Sequence, residues 1–432
     1  MIKEVLIIGA GLSGLTAAYE IKSSPDVNVT ILEKGAPYWE RLSSENPDLL
    51  CGVGGAGTIG GGKLCFPPAS SGIWKKTGFT SSNFDLFLDR NVIPFIKGEL
   101  CRDNSMENAV NHFSILSSGT YEKKYDSILL YKHELNHFVK VLTEAVLKKG
   151  ILLYTNCVFK GLEHSNDNSY TVSYLHEGEL VQKKYDIIIF ASGRSSARNL
   201  RSWLPKEVKI TNTCPDLGFR ISLNAFNNHA FCNTGKDIKI KATIGNIMVR
   251  TFCVCSGGDK ILVSTDDFQY FDGHFGDKKT EVSNLGLLAR SPKLVGYEFA
   301  AQYCNLLKRY LTSEMTLRDF VKYWNTLIPE STIFDEVLAA LAHFVKVLQN
   351  NSLLPDNLDQ CQVFLPSVDN LNASVETNQS FETSSQNLYV IGDACGVSRG
   401  FIQSMWSAHC ACKDILSKLD HKNMSIQGFT AI

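Results

Sequence analysis

The sequence predicts an α/β protein in which a doubly wound parallel sheet, built from separate segments of the chain, carries an inserted α+β domain. Three observations predict this arrangement. An apolar strand, a glycine turn and a helical pattern open the chain, and further apolar strands follow at 187–191 and 387–393. Between those strands, residues 216–264 change to Val/Ile/Phe-rich stretches separated by Asn, Gly and Asp turns, which is typical of a mostly antiparallel sheet. A length of 432 residues favours two connected domains.

The first residues form a complete βαβ unit. Glu4–Ile8 is a continuous apolar strand, Leu12–Ile21 repeats apolar residues at helical spacing, and Val27–Leu32 is a second strand. Between the first strand and the helix stands the glycine turn, Gly9-Ala10-Gly11-Leu12-Ser13-Gly14. Its first glycine permits a tight turn, the second lets a pyrophosphate approach the backbone, and the third lets helix and strand pack closely.

Glu33 ends the second strand at the spacing expected for hydrogen bonds to the ribose hydroxyls of an adenosine. The N-terminus of the helix offers unpaired N–H groups and the positive end of its dipole to phosphates. A carboxylate at this position would repel a 2′-phosphate. Together, these features predict a dinucleotide site rather than an incidental glycine turn.

Residues 36–72 are rich in Gly, Pro and Ser, which predicts a long functional loop rather than regular structure. Within it, Gly55–Gly60 also matches GxGxxG, but no strand precedes it and no helical pattern follows. We therefore expect a glycine loop that runs close to the cofactor, not a second nucleotide site. Further helices are predicted at 131–149, 296–311, 317–327 and 333–349, and a strand at 151–159.

The last strand, Asn387–Asp393, reads NLYVIGD and leads through a glycine-punctuated turn into the helical segment Phe401–Leu416. The glycine turn, the strand IIIFASG and this motif, in that order, resemble the large FAD-binding oxidoreductase superfamily related to glutathione reductase. The resemblance implies that Asp393 contacts the ribityl or phosphate part of the flavin. It also implies that the N-terminus of the last helix faces the isoalloxazine carbonyl, with Gln403 as a candidate for contact with the flavin edge.

Four further motifs narrow the resemblance to a poorly characterised family of FAD-dependent dehydrogenases. They are Gly54-Gly55-Ala56-Gly57-Thr58 with Gly62-Lys63-Leu64, Pro215-Asp216-Leu217-Gly218-Phe219-Arg220, Val249-Arg250-Thr251-Phe252-Cys253, and Gly392-Asp393-Ala394-Cys395-Gly396-Val397-Ser398-Arg399-Gly400. The likeness covers nearly the whole chain. The family loop commonly has Ser-Asp before Gly-Lys-Leu, whereas this chain has Gly60-Gly61, so a substrate role of that carboxylate does not carry over.

These motifs predict a discontinuous Rossmann-like FAD-binding domain formed by residues 1–72, 130–204 and 385–432. Residues 73–129 and 205–384 are predicted to form the inserted α+β substrate domain. The predicted cofactor-binding residues lie in the glycine turn, at strand ends and at the start of the last helix: Gly9, Ala10, Gly11, Leu12, Ser13, Gly14, Glu33, Lys34, Arg41, Gly57, Gly62, Lys63, Val158, Ala191, Ser192, Gly193, Gly392, Asp393, Gly400, Phe401 and Ile402.

Five residues are candidates for catalysis. Lys63 is a candidate cation facing the substrate, or a partner of a phosphate or carboxylate. Arg220 and Arg250 lie in apolar strands, where they would clamp a substrate carboxylate or form structural pairs. Arg399 is predicted to bind substrate or cofactor, with a surface salt bridge as the alternative. His274, in the polar stretch FDGHFGD, is an acid/base candidate, with an ordinary loop histidine as the alternative.

The composition excludes several classes of protein. With 43 basic and 44 acidic residues, the formal charge of -1 lacks the basic excess of a nucleic-acid or anionic-membrane surface. The apolar run at the N-terminus is too short for a secretion signal or a membrane span. Thirteen scattered cysteines fit reduced thiols in a cytoplasmic protein.

Two close cysteine pairs have one-residue gaps, Cys253 with Cys255 and Cys410 with Cys412. Alternation along a strand would place the first pair on one face, and neither pair has the spacing of a zinc site. We interpret them as buried thiols, with a catalytic thiol at Cys253 as the alternative. No metal is predicted.

The predicted function is that of an FAD-dependent oxidoreductase that transfers a hydride between a small organic substrate and flavin N5, in either direction. No second dinucleotide domain is visible, so a further electron donor or acceptor would be external. The alternatives are a flavin-dependent monooxygenase that uses an external reductant, and an FAD-bound non-redox or interaction protein. The pattern predicts neither the substrate nor the oligomeric state.

Overall fold

The structure is a computed structural model that describes residues 2–44, 48–58, 62–96, 114–165, 167–223, 236–291, 293, 295–325, 332–371 and 373–429. Helices in this part of the chain are α1 (Leu12–Ile21), α2 (Tyr38–Ser43), α3 (Ser71–Lys76), α4 (Ser81–Asn91), α5 (Lys132–Lys148), α6 (Leu200–Trp203), α7 (Gly296–Leu306), α8 (Leu317–Asn325), α9 (Ile333–Asn350) and α10 (Phe401–Phe429). None of the helices described combines the length and apolar character needed to cross a membrane.

The strands alternate with these helices along the chain. They are β1 (Lys3–Ile8), β2 (Val27–Leu32), β3 (Gly62–Cys65), β4 (Ser114–Ser117), β5 (Thr120–Leu130), β6 (Leu152–Tyr154), β7 (Val158–His164), β8 (Tyr170–His176), β9 (Glu179–Tyr185), β10 (Ile187–Phe190), β11 (Ile210–Thr211), β12 (Asp216–Leu223), β13 (Lys236–Ile244), β14 (Ile247–Cys255), β15 (Asp259–Ser264), β16 (Gln269–His274), β17 (Ser283–Arg290), β18 (Met315–Thr316), β19 (Gln362–Asp369), β20 (Ser374–Val375) and β21 (Leu388–Val390).

Five strands form a parallel sheet in the order β21-β10-β1-β2-β6. The chain runs outward from β1 through β2 to β6, then crosses to the other side of β1 for β10 and β21. This is the Rossmann order, with a topological switch point between β1 and β10, where open α/β sheets bind their ligands. β1, β10 and β21 are apolar and buried because α1 and α10 pack together on the sheet.

A second sheet, mostly of strands from the middle of the chain, runs β18-β19-β12-β17-β14-β13-β5-β3, with β4 also paired to β5. Its strand pairs are antiparallel. One face is an apolar core that includes Leu217, Phe219 and Ile221 and packs with α7, α8 and α9. The opposite face, here called the polar face, carries Asp216, Arg220, Lys239, Lys241, Arg250 and Asp369. The predicted fold class is therefore confirmed.

Residues 36–72 contain more regular structure than their composition predicts, and this prediction was wrong. α2, β3 and the start of α3 fall within the segment. β3 forms because β5, far away in sequence, supplies its hydrogen-bond partners from Ser127 to Leu130. A strand that depends on such a distant partner has no local signal. The predicted domain boundaries stay a proposal. β3 lies within residues 1–72, the first predicted segment of the FAD-binding domain, but it pairs with β5 of the large sheet.

Two further elements differ from their predictions. The strand expected at 151–159 is two strands, β6 and β7, because Asn156 takes a positive φ of 52° between them. There the chain turns so that the Asn156 and Cys157 N–H groups donate to the carbonyl oxygens of Gly35 and Glu33. The last helix runs beyond Leu416 to Phe429.

Candidate cofactor and substrate site

The glycine turn has two tightly packed glycines and one that faces open space. A Cβ on Gly9, which has a φ of +106°, would lie 2.5 Å from the carbonyl oxygen of Ala191, and one on Gly14 would overlap the carbonyl of Gly9. A Cβ on Gly11 would meet no atom within 4 Å. Gly11 is the N-cap residue of α1 and makes no side-chain capping hydrogen bond. The first backbone hydrogen bond of the helix runs from Leu15 N to Gly11 O at 2.9 Å. The turn therefore presents a bare backbone and free N–H groups to an open volume.

Glu33 holds the glycine turn and its neighbouring loop together. Its carboxylate accepts hydrogen bonds from the backbone N–H groups of Ala10 at 2.7 Å, Gly35 at 2.9 Å and Gly52 at 2.8 Å. The residue is only 6% exposed. These three bonds give Glu33 an organising role that the motif alone does not predict. Its hydrogen bond to a ribose stays a prediction.

Arg41 lies beneath the same loop. Its guanidinium donates to the carbonyl oxygens of Asp48 at 2.6 Å and Val53 at 2.8 Å, and it is 4% exposed. Burial lowers its pKa. The loop in turn contacts the glycine turn, because Gly54 N donates to Ala10 O at 2.8 Å. Arg41 therefore stabilises the loop that contacts the glycine turn, and its direct contact with the cofactor stays a prediction.

The N-terminal and C-terminal motifs meet at the switch point of the parallel sheet. A Cβ on Gly392, whose φ is +67°, would overlap the hydroxyl of Ser13, and Gly392 N donates to Ser407 Oγ at 2.8 Å. The end of β10 lies against the glycine turn through Ala191. Gly193, with a φ of +61°, faces open space. Three segments that are distant in sequence thus meet at this end of the sheet, and their role as one cofactor site stays a prediction.

The start of α10 faces the edge of the large sheet. Gly400, with a φ of +116°, precedes Phe401 and the buried Ile402. Gln403 is fully buried, and its Nε2 donates to Cys65 O at 2.9 Å, which ties α10 to β3. Its Oε1 is buried and has no hydrogen-bond partner among the residues described.

Two buried carboxylates, Asp216 and Asp369, share arginines on the polar face. Arg250 Nη2 lies 2.6 Å from Asp216 Oδ2 and 2.7 Å from Asp369 Oδ2. Arg290 Nε lies 2.8 Å from Asp216 Oδ1, and Arg399 Nη1 lies 2.9 Å from Asp369 Oδ2. Burial alone would raise the pKa of each carboxyl, but the guanidinium groups outweigh it. They lower the pKa of Asp216 to about 2 and that of Asp369 further.

Arg194 joins this cluster to the cofactor motif. Its Nε lies 3.4 Å from Asp393 Oδ2, its Nη2 lies 3.4 Å from Asp369 Oδ1, and its Nη1 donates to Tyr270 OH at 3.1 Å. Sequence reasoning missed Arg194. Its position directly after the ASG end of β10 was the available signal.

Among the lysines of the polar face, Lys239 has the pKa that is shifted furthest from its ordinary value. Burial, followed by the neighbouring Arg250 and Arg399, lowers the pKa of Lys239 to about 7. The side chain is half-buried, and no ion pair or hydrogen bond is found for it within the described residues. Sequence reasoning missed Lys239, because the groups around it come from β14, β19 and the turn before α10.

The cluster around Asp369 has an excess of positive charge. Its cations are Arg194, Lys241, Arg250, Arg290 and Arg399, Lys239 is only partly protonated near neutral pH, and its carboxylates are Asp216, Asp272, Asp369 and Asp393. Cations held close together without matching carboxylates favour an anionic ligand.

Lys63 and Arg220 form structural pairs, the alternative left open above. Lys63 Nζ lies 3.0 Å from Asp237 Oδ1, and although burial lowers the pKa of Lys63, Asp237 raises it more. Arg220 is fully buried, with Nε donating to Asn284 Oδ1 at 2.7 Å and Nη1 lying 3.5 Å from Asp272 Oδ1. Neither cation is free to clamp a substrate without giving up its partner.

His274 ends β16 opposite Asp259 and is half-buried, so it lies in a strand rather than in the loop expected from FDGHFGD.

The remaining predicted residues lie around the glycine turn. Lys34 is exposed and 3.6 Å from Asp266, Val158 begins β7 beside Glu33, Gly57 lies in the short 3-10 helix Gly55–Thr58, and Gly62 opens β3. Among the described residues, no group of three or more His, Cys, Asp or Glu side chains could hold a metal ion.

The family model for an NAD(P)-binding Rossmann-like domain matches residues 7–37, which hold the glycine turn, α1, β2 and Glu33. The predicted Rossmann-like fold is thereby confirmed at the N-terminus. No curated protein matches the chain.

The chain is similar to many solved structures, of which three are described below. The tetracycline destructase Tet(51) is 15% identical, with a TM-score of 0.40, and the alignment covers 96% of this chain and 82% of that one. CtdE in complex with FAD is 12% identical, with a TM-score of 0.38 and coverage of 94% and 82%. CmlS, a flavin-dependent halogenase, is 13% identical, with a TM-score of 0.41 and coverage of 95% and 57%. Likenesses this distant carry no conclusion on the substrate or reaction of this chain.

Proposed function

We propose that the chain binds FAD non-covalently and is an oxidoreductase that moves a hydride between a small organic substrate and flavin N5. One observation carries the proposal: the glycine turn, the end of β10 and the Gly392-Asp393 motif converge at the switch point, where Gly11 and Gly193 face open space. Bound FAD would supply the hydride acceptor or donor. The free N–H groups at the start of α1 would hold the pyrophosphate.

The other cofactor contacts follow from the positions of the residues. Glu33 follows β2 and accepts a backbone hydrogen bond from Cys157, the residue before Val158. Glu33 and Val158 would therefore lie on the adenosine side of the cofactor. Asp393 would contact the ribityl or phosphate part of the flavin, and Phe401 and Gln403, at the start of α10, would lie near the flavin ring. The positive end of the α10 dipole would stabilise negative charge on the ring. These assignments remain proposals for each residue.

The substrate that suits the polar face is an anion, and a carboxylate is the simplest. Arg399 is 30% exposed and Lys239 is half-buried, so both can reach a ligand between α10 and the large sheet. The neutral amine of Lys239 could accept a proton near neutral pH, and the protonated form could pair with the substrate. Lys239 is therefore a stronger acid/base candidate than His274, because burial, followed by the neighbouring cations Arg250 and Arg399, lowers its pKa to about 7.

The reaction is tested by anaerobic mixing of the purified yellow protein with a panel of small carboxylates. We expect the yellow absorbance of the oxidised flavin to bleach without NAD(P)H. Oxygen consumption that requires NAD(P)H together with substrate hydroxylation would identify a monooxygenase instead. A flavin inert in both assays would indicate a non-redox or interaction role.

Lys239 should react as a neutral amine near neutral pH. Because its folded-state pKa is lowered to about 7, most of the side chain is deprotonated at pH 8. We expect acylation by a water-soluble ester, followed by peptide mass spectrometry, to show a half-maximal rate near pH 7. The exposed Lys308 is the internal reference.

An Arg399→Gln variant separates the causes of this shift. It removes one neighbouring cation, so the labelling midpoint of Lys239 should move to higher pH. Labelling of Lys239 that begins only above about pH 9, close to the range of an ordinary lysine, would contradict the assignment.

A further inference from the structure

Cys253 and Cys255 bring their sulfur atoms to 3.8 Å from each other at the end of β14. A disulfide has an S–S distance of about 2.0 Å, so a modest side-chain rotation would close the bond. Both are free thiols in this structure. Cys255 is buried, whereas Cys253 is half-buried. Cys253 is therefore the more exposed residue of the two.

The backbone around Cys253 departs from a regular strand. Pairing with β17 shifts register between Phe252 and Cys255, which marks a bulge. Cys253 itself has a φ of +38°, a strained value for a residue with a side chain. Bulges often re-aim a side chain, and strained residues persist where surrounding contacts hold them.

Two buried cations hold this bulge. Arg220 Nη2 donates to Cys253 O at 2.7 Å, and Lys63 Nζ donates to Val254 O at 2.6 Å. The Arg220 guanidinium also donates to Cys255 Sγ at 3.7 Å. These contacts give Lys63 and Arg220 a role in shaping the dithiol, in addition to their pairing with Asp237 and Asp272.

The same contacts make the two thiols unequal. The hydrogen bond from Cys255 lowers the pKa of Cys253, and Lys63 and Arg220 lower it further against the effect of burial. That bond raises the pKa of Cys255. The thiolate is the reactive form of cysteine, so Cys253 is suited to attack and Cys255 to follow.

We propose that Cys253 and Cys255 form a redox-active dithiol that a hydroperoxide oxidises to a reversible disulfide. The Cys253 thiolate attacks the peroxide oxygen, the O–O bond breaks, and the departing alkoxide or hydroxide takes a proton to leave as alcohol or water. The resulting sulfenic acid is attacked by the Cys255 thiol, which forms the S–S bond and releases water. Two thiols lose two electrons, and the peroxide gains them. An external thiol restores the pair by exchange.

This inference does not depend on the flavin. It follows from the sulfur positions and the strained backbone, and it concerns the polar face beside Lys63. The disulfide would fix the backbone of the bulge, whose carbonyl oxygens accept hydrogen bonds from Lys63 and Arg220.

The test uses the full chain, reduced with dithiothreitol, desalted, treated with hydrogen peroxide and blocked with N-ethylmaleimide. Trypsin then releases the peptide 251–260, which contains both cysteines. Formation of the disulfide removes two hydrogens from this peptide and prevents both cysteines from forming maleimide adducts. We expect this change to be at least tenfold faster than oxidation of the peptide that contains the half-buried Cys214. Dithiothreitol should reverse the change.

Variants assign the two roles. In Cys255→Ser, a sulfenic acid should accumulate at Cys253 and be trapped by dimedone, whereas Cys253→Ser should leave Cys255 unoxidised at the same dose. Cys214→Ser is the matched control and should behave as wild type. Equal oxidation rates at Cys253 and Cys214 in the wild-type protein would overturn the proposal. So would a disulfide between Cys253 and the neighbouring Cys65.

Discussion

Replacing Gly11 with valine is expected to weaken FAD binding at least about a hundredfold, which corresponds to roughly 2.7 kcal/mol. A Cβ on Gly11 would meet no protein atom within 4 Å, so the larger side chain enters the volume assigned to the pyrophosphate without disturbing the fold. Affinity is measured by titrating the flavin-free protein with FAD and following the quenching of flavin fluorescence. The melting temperature of the flavin-free variant should remain near that of the flavin-free wild type.

Gly161→Val is the matched control for this variant. Gly161 also faces open space with an ordinary φ, but it lies on β7, outside the glycine turn. Its variant should bind FAD with wild-type affinity. If Gly11→Val retained full affinity, the pyrophosphate would not lie at this turn. Gly11→Ala adds only the Cβ and should give an intermediate loss.

Replacing Asp369 with asparagine should produce the largest loss of stability of any single substitution discussed here. Asp369 is 4% exposed, and three guanidinium groups, those of Arg194, Arg250 and Arg399, share its carboxylate. Removing one partner of a buried ionic cluster leaves uncompensated charge and costs about 3–5 kcal/mol. We expect the urea midpoint to fall and the melting temperature to drop by roughly 3–6 °C.

Asp359→Asn is the control for charge removal at the surface. Asp359 pairs with Arg318 at 2.8 Å, and both side chains are more than half exposed. An exposed pair of this kind contributes roughly 0–1 kcal/mol. A double variant, Asp369→Asn with Arg399→Met, should recover part of the loss because it removes one excess cation. Equal effects of Asp369→Asn and Asp359→Asn would contradict the assignment.

The stability contributed by Asp369 should depend on pH in a defined direction. The folded-state pKa of Asp369 is lowered, as is that of Asp216, so the contribution is complete above the ordinary carboxyl pKa of about 3.9. It is lost only as the pH falls below that value. The part of the difference between wild type and Asp369→Asn that comes from this carboxylate should therefore shrink below about pH 4.

The candidate site was only partly readable from the sequence. The glycine turn and the Gly392-Asp393 motif carry local signals, since a tight turn needs glycine at adjacent positions whatever the rest of the chain does. Arg194 and Lys239 carry no such signal, because their roles depend on carboxylates and guanidinium groups from other strands. Glu33 illustrates both cases: its position was predicted, but its three backbone donors were not.

The sequence by itself determined the opening βαβ unit, the apolar strands of the parallel sheet and the antiparallel character of the inserted domain. Those features follow from periodicities that neighbouring residues set on their own. Only the tertiary structure decided that β3 joins the large sheet, that Asp216 and Asp369 share Arg250, and that Cys253 meets Cys255 at a bulge. Each of these depends on pairing between distant strands, where hydrogen-bond partners and buried charges are supplied by residues that no local pattern connects.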